Sequence, residues 1–471
     1  MATQCTQTSF PFHSQSGREV VARFDGGTIT SDGGGVLLAE VERRTGILRQ
    51  FAGCFTDYRH PGWVEHSVYD LVAQRVYGLA LGYEDLNDHD ELRADPLLAT
   101  LVGKKDPTGS ERARRRDAGK ALAGKSTLNR LELTGAEAGP GERYKKIVVD
   151  EAAVQSLLVE VFLQSQAQAP EQVVLDLDAT DDALHGRQEG RFFHGFYGGY
   201  CYLPLYIFCG EHLLCARLRP SDIDASAGAL EDVKRIVRQI RQRWPGVCII
   251  LRADSGFARE EIMSWCEAHA VEYVFGLARN ARLVRALGKQ LRQARRQCET
   301  SGQPARRFRD FTYRTRTSWS RRRRVVGKAE HLPQGANPRF VVSSLSAQAW
   351  GARALYEELY CARGDMENRI KEQQLCLFAD RTSAATMRAN QIRLWFSSVA
   401  YLLLEALRRL GLEGTALARA QCDTIRLKLL KIGAQVRITV RKVWVSLASG
   451  SPYAALFAQA YHNLRASPLR C

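Results

Sequence analysis

Val173-Val174-Leu175-Asp176-Leu177-Asp178-Ala179-Thr180-Asp181-Asp182 is the stretch on which the fold turns. Its Val- and Leu-rich start predicts a short strand that ends in acids. A strand period of two points Asp176 and Asp178 the same way, with the turn beyond them at residues 179–182. A carboxylate at the end of a buried strand is costly without a cation beside it, although a turn-capping role would also place an Asp there. Two further segments repeat the pattern. Ile249-Ile250-Leu251-Arg252-Ala253-Asp254-Ser255-Gly256-Phe257 is a second apolar strand ending in an acid, and Tyr360–Lys371 reads as a helix carrying a third, Glu367.

Between these landmarks the order of elements predicts an α/β fold. A hairpin follows the first acidic strand (Leu203–Cys209, then Leu213–Leu218). Next come a helix at Ala225–Trp244, a strand at Val247–Leu251, a helix at Arg259–His269 and a strand at Val271–Leu277. Hairpins followed by strand–helix–strand alternation predict a mixed sheet covered by helices. A helix over Tyr144–Gln166 leads into the first strand, and helices over Leu355–Phe378 and Asn390–Leu410 follow the last.

The chain has 471 residues, 45% hydrophobic and 25% charged, as ordinary globular proteins are, yet its net charge is +16. Such an excess predicts attraction to a polyanion, with nucleic acid ahead of an anionic membrane. No secretory signal opens the sequence, and the longest apolar run, Leu394–Leu407, falls short of the roughly 20 residues of a membrane span. A soluble cytoplasmic protein with no membrane partner is expected. The 12 cysteines contain no C-x-x-C pair, which argues against a disulfide framework or a zinc site.

The positive charge is concentrated. Residues 281–324 hold fifteen Lys/Arg against two acids, interleaved with Phe308, Phe311, Tyr313 and Trp319, and Arg321, Arg322, Arg323 and Arg324 run consecutively. This reads as a partly β insertion facing DNA, with Thr312–Thr317 alternating as a strand. A second basic stretch, Lys104–Arg130, carries Arg114, Arg115 and Arg116 and is either a solvated connector or a phosphate-tracking one. Near the N-terminus, Ser31-Asp32-Gly33-Gly34-Gly35 lacks the Lys-Ser/Thr of a phosphate loop and reads as a turn and helix cap. His66–Leu81 is a periodic helix followed by a second start after Asp85, which fits a helix-turn-helix-like DNA reader or a plain helical bundle.

If Asp178, Asp254 and Glu367 converge, repulsion dominates the site. At about 4 Å and an effective dielectric near 20, each like-charge pair costs on the order of 4 kcal/mol. Protons or divalent cations must relieve it, and carboxylate-held Mg²⁺ suits attack at a phosphodiester. Tyr360, Arg363, Glu367 and Lys371 are spaced 3, 4 and 4 and share one helical face. An exposed salt-bridged stripe would show the same spacing; the acidic strand ends favour a metal ligand flanked by phosphate-binding cations.

Asp178 in Leu-Asp-Ala-Thr, Asp254 in Arg-Ala-Asp-Ser-Gly-Phe, and Tyr360, Arg363 and Glu367 in their spacing resemble the bacterial DDE transposases of insertion sequences, closest to the insertion-sequence 1380 family. The resemblance extends to residues 66–88 and to Leu429-Leu430-Lys431-Ile432-Gly433. It departs from the related Tyr-x2-Arg-x3-Glu-x6-Lys signature at the last position, where Gln374 stands; Lys371 is the nearest Lys on that face. The resemblance implies an RNase H-like core with a β-rich insertion and cut-and-paste movement by a homodimer. It implies binding of terminal inverted repeats and target DNA in the bacterial nucleoid. Asp178, Asp254 and Glu367 would be catalytic and hold Mg²⁺ (Mn²⁺ able to substitute), and Tyr360, Arg363 and Lys371 would lie along DNA. Asp176 remains the rival of Asp178 as first ligand.

The expected organisation is an N-terminal helical, basic DNA-end-binding region (1–140), core (141–280), basic insertion (281–350), core helices (351–410) and a basic C-terminal segment (411–471). A nuclease without strand transfer and a non-catalytic DNA-binding protein are the alternatives.

Overall fold

Residues 149–398 form a unit built on one mixed sheet. Its strands are β1 (Gln172–Ala179), β2 (Leu205–Cys209), β3 (His212–Arg217), β4 (Cys248–Ala253), β5 (Glu272–Leu277), β6 (Ala305–Tyr313), β7 (Arg323–Leu332) and β8 (Arg339–Ser343). They lie in the order β3-β2-β1-β4-β5-β8-β7-β6, with the short strand Gly335–Ala336 against β7. β4 runs parallel to β1 and β5, and the other pairings of this sheet are antiparallel. The computed structural model describes residues 9–468.

Both faces of the sheet are covered, which is why its central strands read as nearly continuous apolar runs. Val173, Leu175 and Leu177 of β1, with Ile249, Leu251 and Ala253 of β4, enter the larger core. There they meet side chains of α1 (Glu151–Ser165), α2 (Ala229–Arg243) and α3 (Glu260–Ala268). Ile250, Val274, Val326 and Val341 enter a smaller core on the other face, against Leu355, Tyr356 and Leu359. Strand alternation assigns Asp176, Asp178 and Arg252 to that second face.

Three differences from the sequence reading bear on the layout of this sheet. α1 begins at Glu151 rather than Tyr144, because the Asp150 side chain accepts the Ala153 amide and caps it, after a β-branched strand at Ile147–Val149. The alternating segment expected at 312–317 is displaced: the strand is β6, held in register with β7 from Ala305↔His331 to Tyr313↔Arg323. The strands of the 281–350 insertion also do not stand apart. β8 pairs with β5, so β6–β8 extend the main sheet, with α4 (Gly288–Ser301) preceding them.

Residues 1–148 and 399–471 group together as the other unit. Helix Val68–Leu81 starts at a reciprocal Ser67–Asp70 capping box and stops at Gly82 in the left-handed conformation. Its residues from Leu71 to Leu81 are all buried, so it is a core helix without a face open to a DNA groove. The turn at Gly33–Gly35 has a packing reason: a Cβ on Gly34 would lie 1.9 Å from the Leu429 carbonyl oxygen. The tail supplies strands Ala434–Ile438 and Val443–Leu447, which form a sheet with Ile29–Thr30. Among the described residues no helix is long and apolar enough to cross a membrane.

Candidate active site

β1 delivers two acids to one face with different fates. Asp176 is buried and forks onto Arg252 of β4, its register partner, with Nη2–Oδ2 at 2.7 Å. Arg252 also donates through Nη1 to the Leu359 carbonyl, so one guanidinium joins β1, β4 and the segment leading to Arg363. Burial raises the Asp176 carboxyl above its ordinary range although Arg252 opposes the shift. Asp176 therefore already has a built-in cation. Asp178, two residues on, meets Arg363 Nη1 at 3.1 Å through Oδ2.

The helical segment bearing Arg363 is irregular. A wide π-helical stretch, Leu355–Tyr360, tightens into a 3-10 turn at Cys361–Arg363, becomes α5 (Gly364–Lys371), and widens again over Glu372–Cys376. Arg363 reaches Glu367 as well, Nη2–Oε1 2.9 Å, so it bridges the first and third predicted acids. Tyr360 is half-buried, and its hydroxyl passes where β5 has no side chain: a Cβ on Gly276 would lie 2.6 Å from it and 2.9 Å from the Ser255 amide nitrogen. Lys371 is exposed. Gln374, at the departure from the family signature, donates to the Asp181 carbonyl at 3.0 Å and ties the helix to the turn after β1.

Asp254 follows β4 and accepts the Gly256 amide at 2.8 Å, capping the short turn Ser255–Phe257. It shares a field with the other acids. Burial first, then Asp254 and Glu367, push the Asp178 carboxyl up to about 6 against the opposing pull of Arg363. The same neighbours act on Arg363: burial lowers its pKa, but Asp178, Tyr360, Glu367 and Asp254 raise it further. Arg363 thus holds two of the carboxylates directly, and Asp254 acts on it and on Asp178 through space. Among the described residues no three His, Cys, Asp or Glu side chains stand together as a ready metal cage.

The arginine run at 321–324 divides. Arg323 has a side chain only 2% exposed, and it bonds Glu260 (Nη1–Oε2 2.6 Å) and Glu267 (Nε–Oε1 2.6 Å) of α3. Arg324 pairs with Asp310 and donates to the carbonyls of Leu345, Ser346 and Trp350. The sequence expectation that both face DNA does not fit these contacts; the two fasten β7 to its surroundings. Arg321, 3.1 Å from Glu267, and Arg322 are exposed, as are Arg114, Arg115 and Arg116 in the other unit.

Residues 12–469 match the family model of transposase DDE domain group 1. The chain belongs to that family. Membership implies DNA cleavage and strand transfer, and the acids just described lie within the matched span. A solved structure, the cryo-EM structure of the piggyBac transposase synaptic complex with hairpin DNA, is similar at 11% identity and a TM-score of 0.40. The likeness covers 94% of this chain and 83% of that one. No curated protein matches.

Sequence reasoning missed the Arg252 fork, the gap at Gly276 and the Gln374 contact. An arginine inside an otherwise apolar strand was the available signal for the first. A glycine within β5 was the signal for the second.

Proposed function

We propose that this transposase mobilises a bacterial insertion sequence: it binds the terminal inverted repeats, cleaves the ends and transfers the released 3′-hydroxyls to target DNA. The observation that carries the reading is the Arg363 bridge between Asp178 and Glu367, with Asp254 in the same field. The strand order of three parallel strands flanked by an antiparallel hairpin supports an RNase H-like core. The motif contexts support placement in the insertion-sequence 1380 family, and action as a homodimer belongs to the same reading.

The donor set suits a hard divalent cation such as Mg²⁺, with Mn²⁺ able to replace it, because all three groups are carboxylates. Asp178, Asp254 and Glu367 would hold it, and a second cation would offset the burial and the neighbouring carboxylates that raise Asp178. Bound ions would activate the attacking oxygen and stabilise the leaving oxygen of a phosphodiester. Arg363 exchanges its carboxylate partners for a DNA phosphate, which its permanent charge and forked donors suit. Arg252 holds Asp176 and the Leu359 carbonyl, fixing the separation of β1, β4 and the Glu367 segment. Tyr360 brings its hydroxyl to the gap at Gly276, beside the backbone of Asp254 and Ser255. Arg321, Arg322, Arg114, Arg115, Arg116 and Lys371 supply sequence-independent attraction to the duplex.

The test is cleavage of an end-containing duplex with and without Mg²⁺. Wild type cuts only with the ion, and Asp254→Asn does not cut; equal activity of the two removes the acids from the chemistry. Transfer of the cut ends into a plasmid separates a transposase from a nuclease, which yields cuts without joined products.

A further inference from the structure

Between β1 and β2 the chain makes an excursion that the catalytic reading leaves unused. Asp182–Ala183, Phe192–His194 and Gly199–Tyr202 form a separate three-stranded sheet, with Phe193 opposite Tyr200 and His194 opposite Gly199. Its root is anchored: Tyr202 donates to the Glu189 carbonyl at 2.6 Å, and Ser221 to the Phe192 carbonyl at 3.0 Å. Its tip carries aromatic rings outward. Phe193 is 60% exposed, Phe196 85% and Tyr200 45%. Such rings cost free energy in water, and a contiguous exposed apolar patch marks a contact surface.

Three features identify the occupant. First, the Arg191 guanidinium lies over the Tyr200 ring, 3.8 Å from its centroid, and Arg187 is exposed nearby in the chain, so flat rings are combined with positive charge. Second, the tip is continuous with the acids. The Tyr197 hydroxyl reaches toward the Ala179 carbonyl at 3.5 Å, and burial together with Asp181, Asp178 and Asp254 pushes its phenol up to about 12. Third, the tip glycines Gly195, Gly198 and Gly199 have no heavy atom within 4 Å of where a Cβ would stand, so the backbone of the tip is uncrowded. Solvent-exposed rings combined with a guanidinium are the chemistry that holds unpaired bases, since every base has a face to stack.

We infer that the aromatic hairpin 192–200 is a stacking platform for unpaired nucleotides of the DNA strand entering the acidic site. The inference rests on the transposase reading for its substrate, but it concerns binding and is testable without catalysis. Within a duplex the base faces are already stacked on one another, and a blunt end exposes only the outer face of its last pair. The platform therefore favours ends whose terminal bases are separated, and it contributes little to an intact blunt duplex.

The experiment uses the full chain in EDTA with two probes, a blunt duplex and the same duplex with a short single-stranded tail containing 2-aminopurine. Wild type binds the tailed probe more tightly and changes its fluorescence. Phe193→Leu/Tyr200→Leu keeps apolar area but removes the rings. It weakens the tailed complex roughly tenfold or more while leaving the blunt complex within twofold. Circular dichroism checks the fold, and Phe193→Trp/Tyr200→Phe restores tail binding. Equal affinity of wild type for both probes overturns the inference, as does a tail preference that survives the leucine variant. Loss of self-association with tail preference intact assigns the patch to a second copy of the chain and also overturns it. Asp254→Asn keeps tail binding in EDTA. If that variant cleaves normally with Mg²⁺, the catalytic reading fails while the stacking result stands.

Discussion

Arg363→Gln is the most informative single change. At 3.1 Å from Asp178, the guanidinium supplies a bare attraction of about 5 kcal/mol at an effective dielectric near 20. Most of that is offset by desolvation, and a neighbouring Arg typically lowers a carboxyl by about one to three pH units. Both side chains are well shielded, 17% and 16% exposed, so solvent screens little of it. Removing the cation favours the neutral acid, and the sign is therefore upward: Asp178 moves from about 6 to roughly 7–9. The Glu367 contact adds less, because Glu367 is 48% exposed. The assay is single-turnover cleavage of end DNA at subsaturating Mg²⁺ across pH 5–10, where a protonated Asp178 cannot act. The acid limb of the profile moves up by about one to three pH units in Arg363→Gln. In Arg363→Lys it stays near the wild-type position while the amplitude falls, because Lys keeps the charge and loses the fork. If the glutamine variant loses amplitude with its acid limb unmoved, Arg363 serves DNA alone and the electrostatic account of Asp178 is wrong.

Asp178 also makes a stability prediction. Its folded pKa of about 6 lies above the ordinary 3.8, so its ionisation opposes folding: the penalty is absent below pH 4, grows between 4 and 6, and is full above 6. Urea unfolding of metal-free Asp178→Asn should show a gain of up to about 3 kcal/mol at pH 8 and almost none at pH 4. Arg252→Ala strands a buried carboxylate and leaves the Leu359 carbonyl without this donor. It costs about 3–5 kcal/mol, while Asp176→Ala/Arg252→Ala together cost less than the sum of the single changes in a double-mutant cycle. Arg323→Ala lowers the melting temperature with its two carboxylate partners left unpaired. Its neighbour Arg322→Ala leaves stability within about 0.5 kcal/mol and reduces the salt dependence of DNA binding.

Apolar runs made the central strands legible because both faces are buried, a period of 3.6 did the same for α2 and α3 because one face is, and i,i+4 spacing exposed the Arg363–Glu367 pair. Asp176 and Asp178 could not be separated that way. They share a face, and only the cross-strand register, which sets Arg252 opposite Asp176, distinguishes them. The basic run 321–324 misled for a related reason. Charge counting treats arginines alike, whereas β7 turns Arg323 inward toward Glu260 and Glu267, two acids more than fifty residues earlier in the chain. The joining of β8 to β5 was equally hidden, since pairing partners across a long insertion leave no local trace in composition.

The wide turns on either side of Arg363 and Glu367 put chain length, as well as side-chain identity, under constraint. A π-helical turn behaves as one residue inserted into an α-helix. Deleting a residue between Leu355 and Tyr360 would restore a regular spiral, yet it would rotate everything beyond by about 100° relative to the anchors Leu355 and Leu359. Glu367 would swing out of phase with the end of β1 although every functional side chain survived. Relatives that keep a carboxylate at this place are thus expected to vary in sequence here far more freely than in spacing.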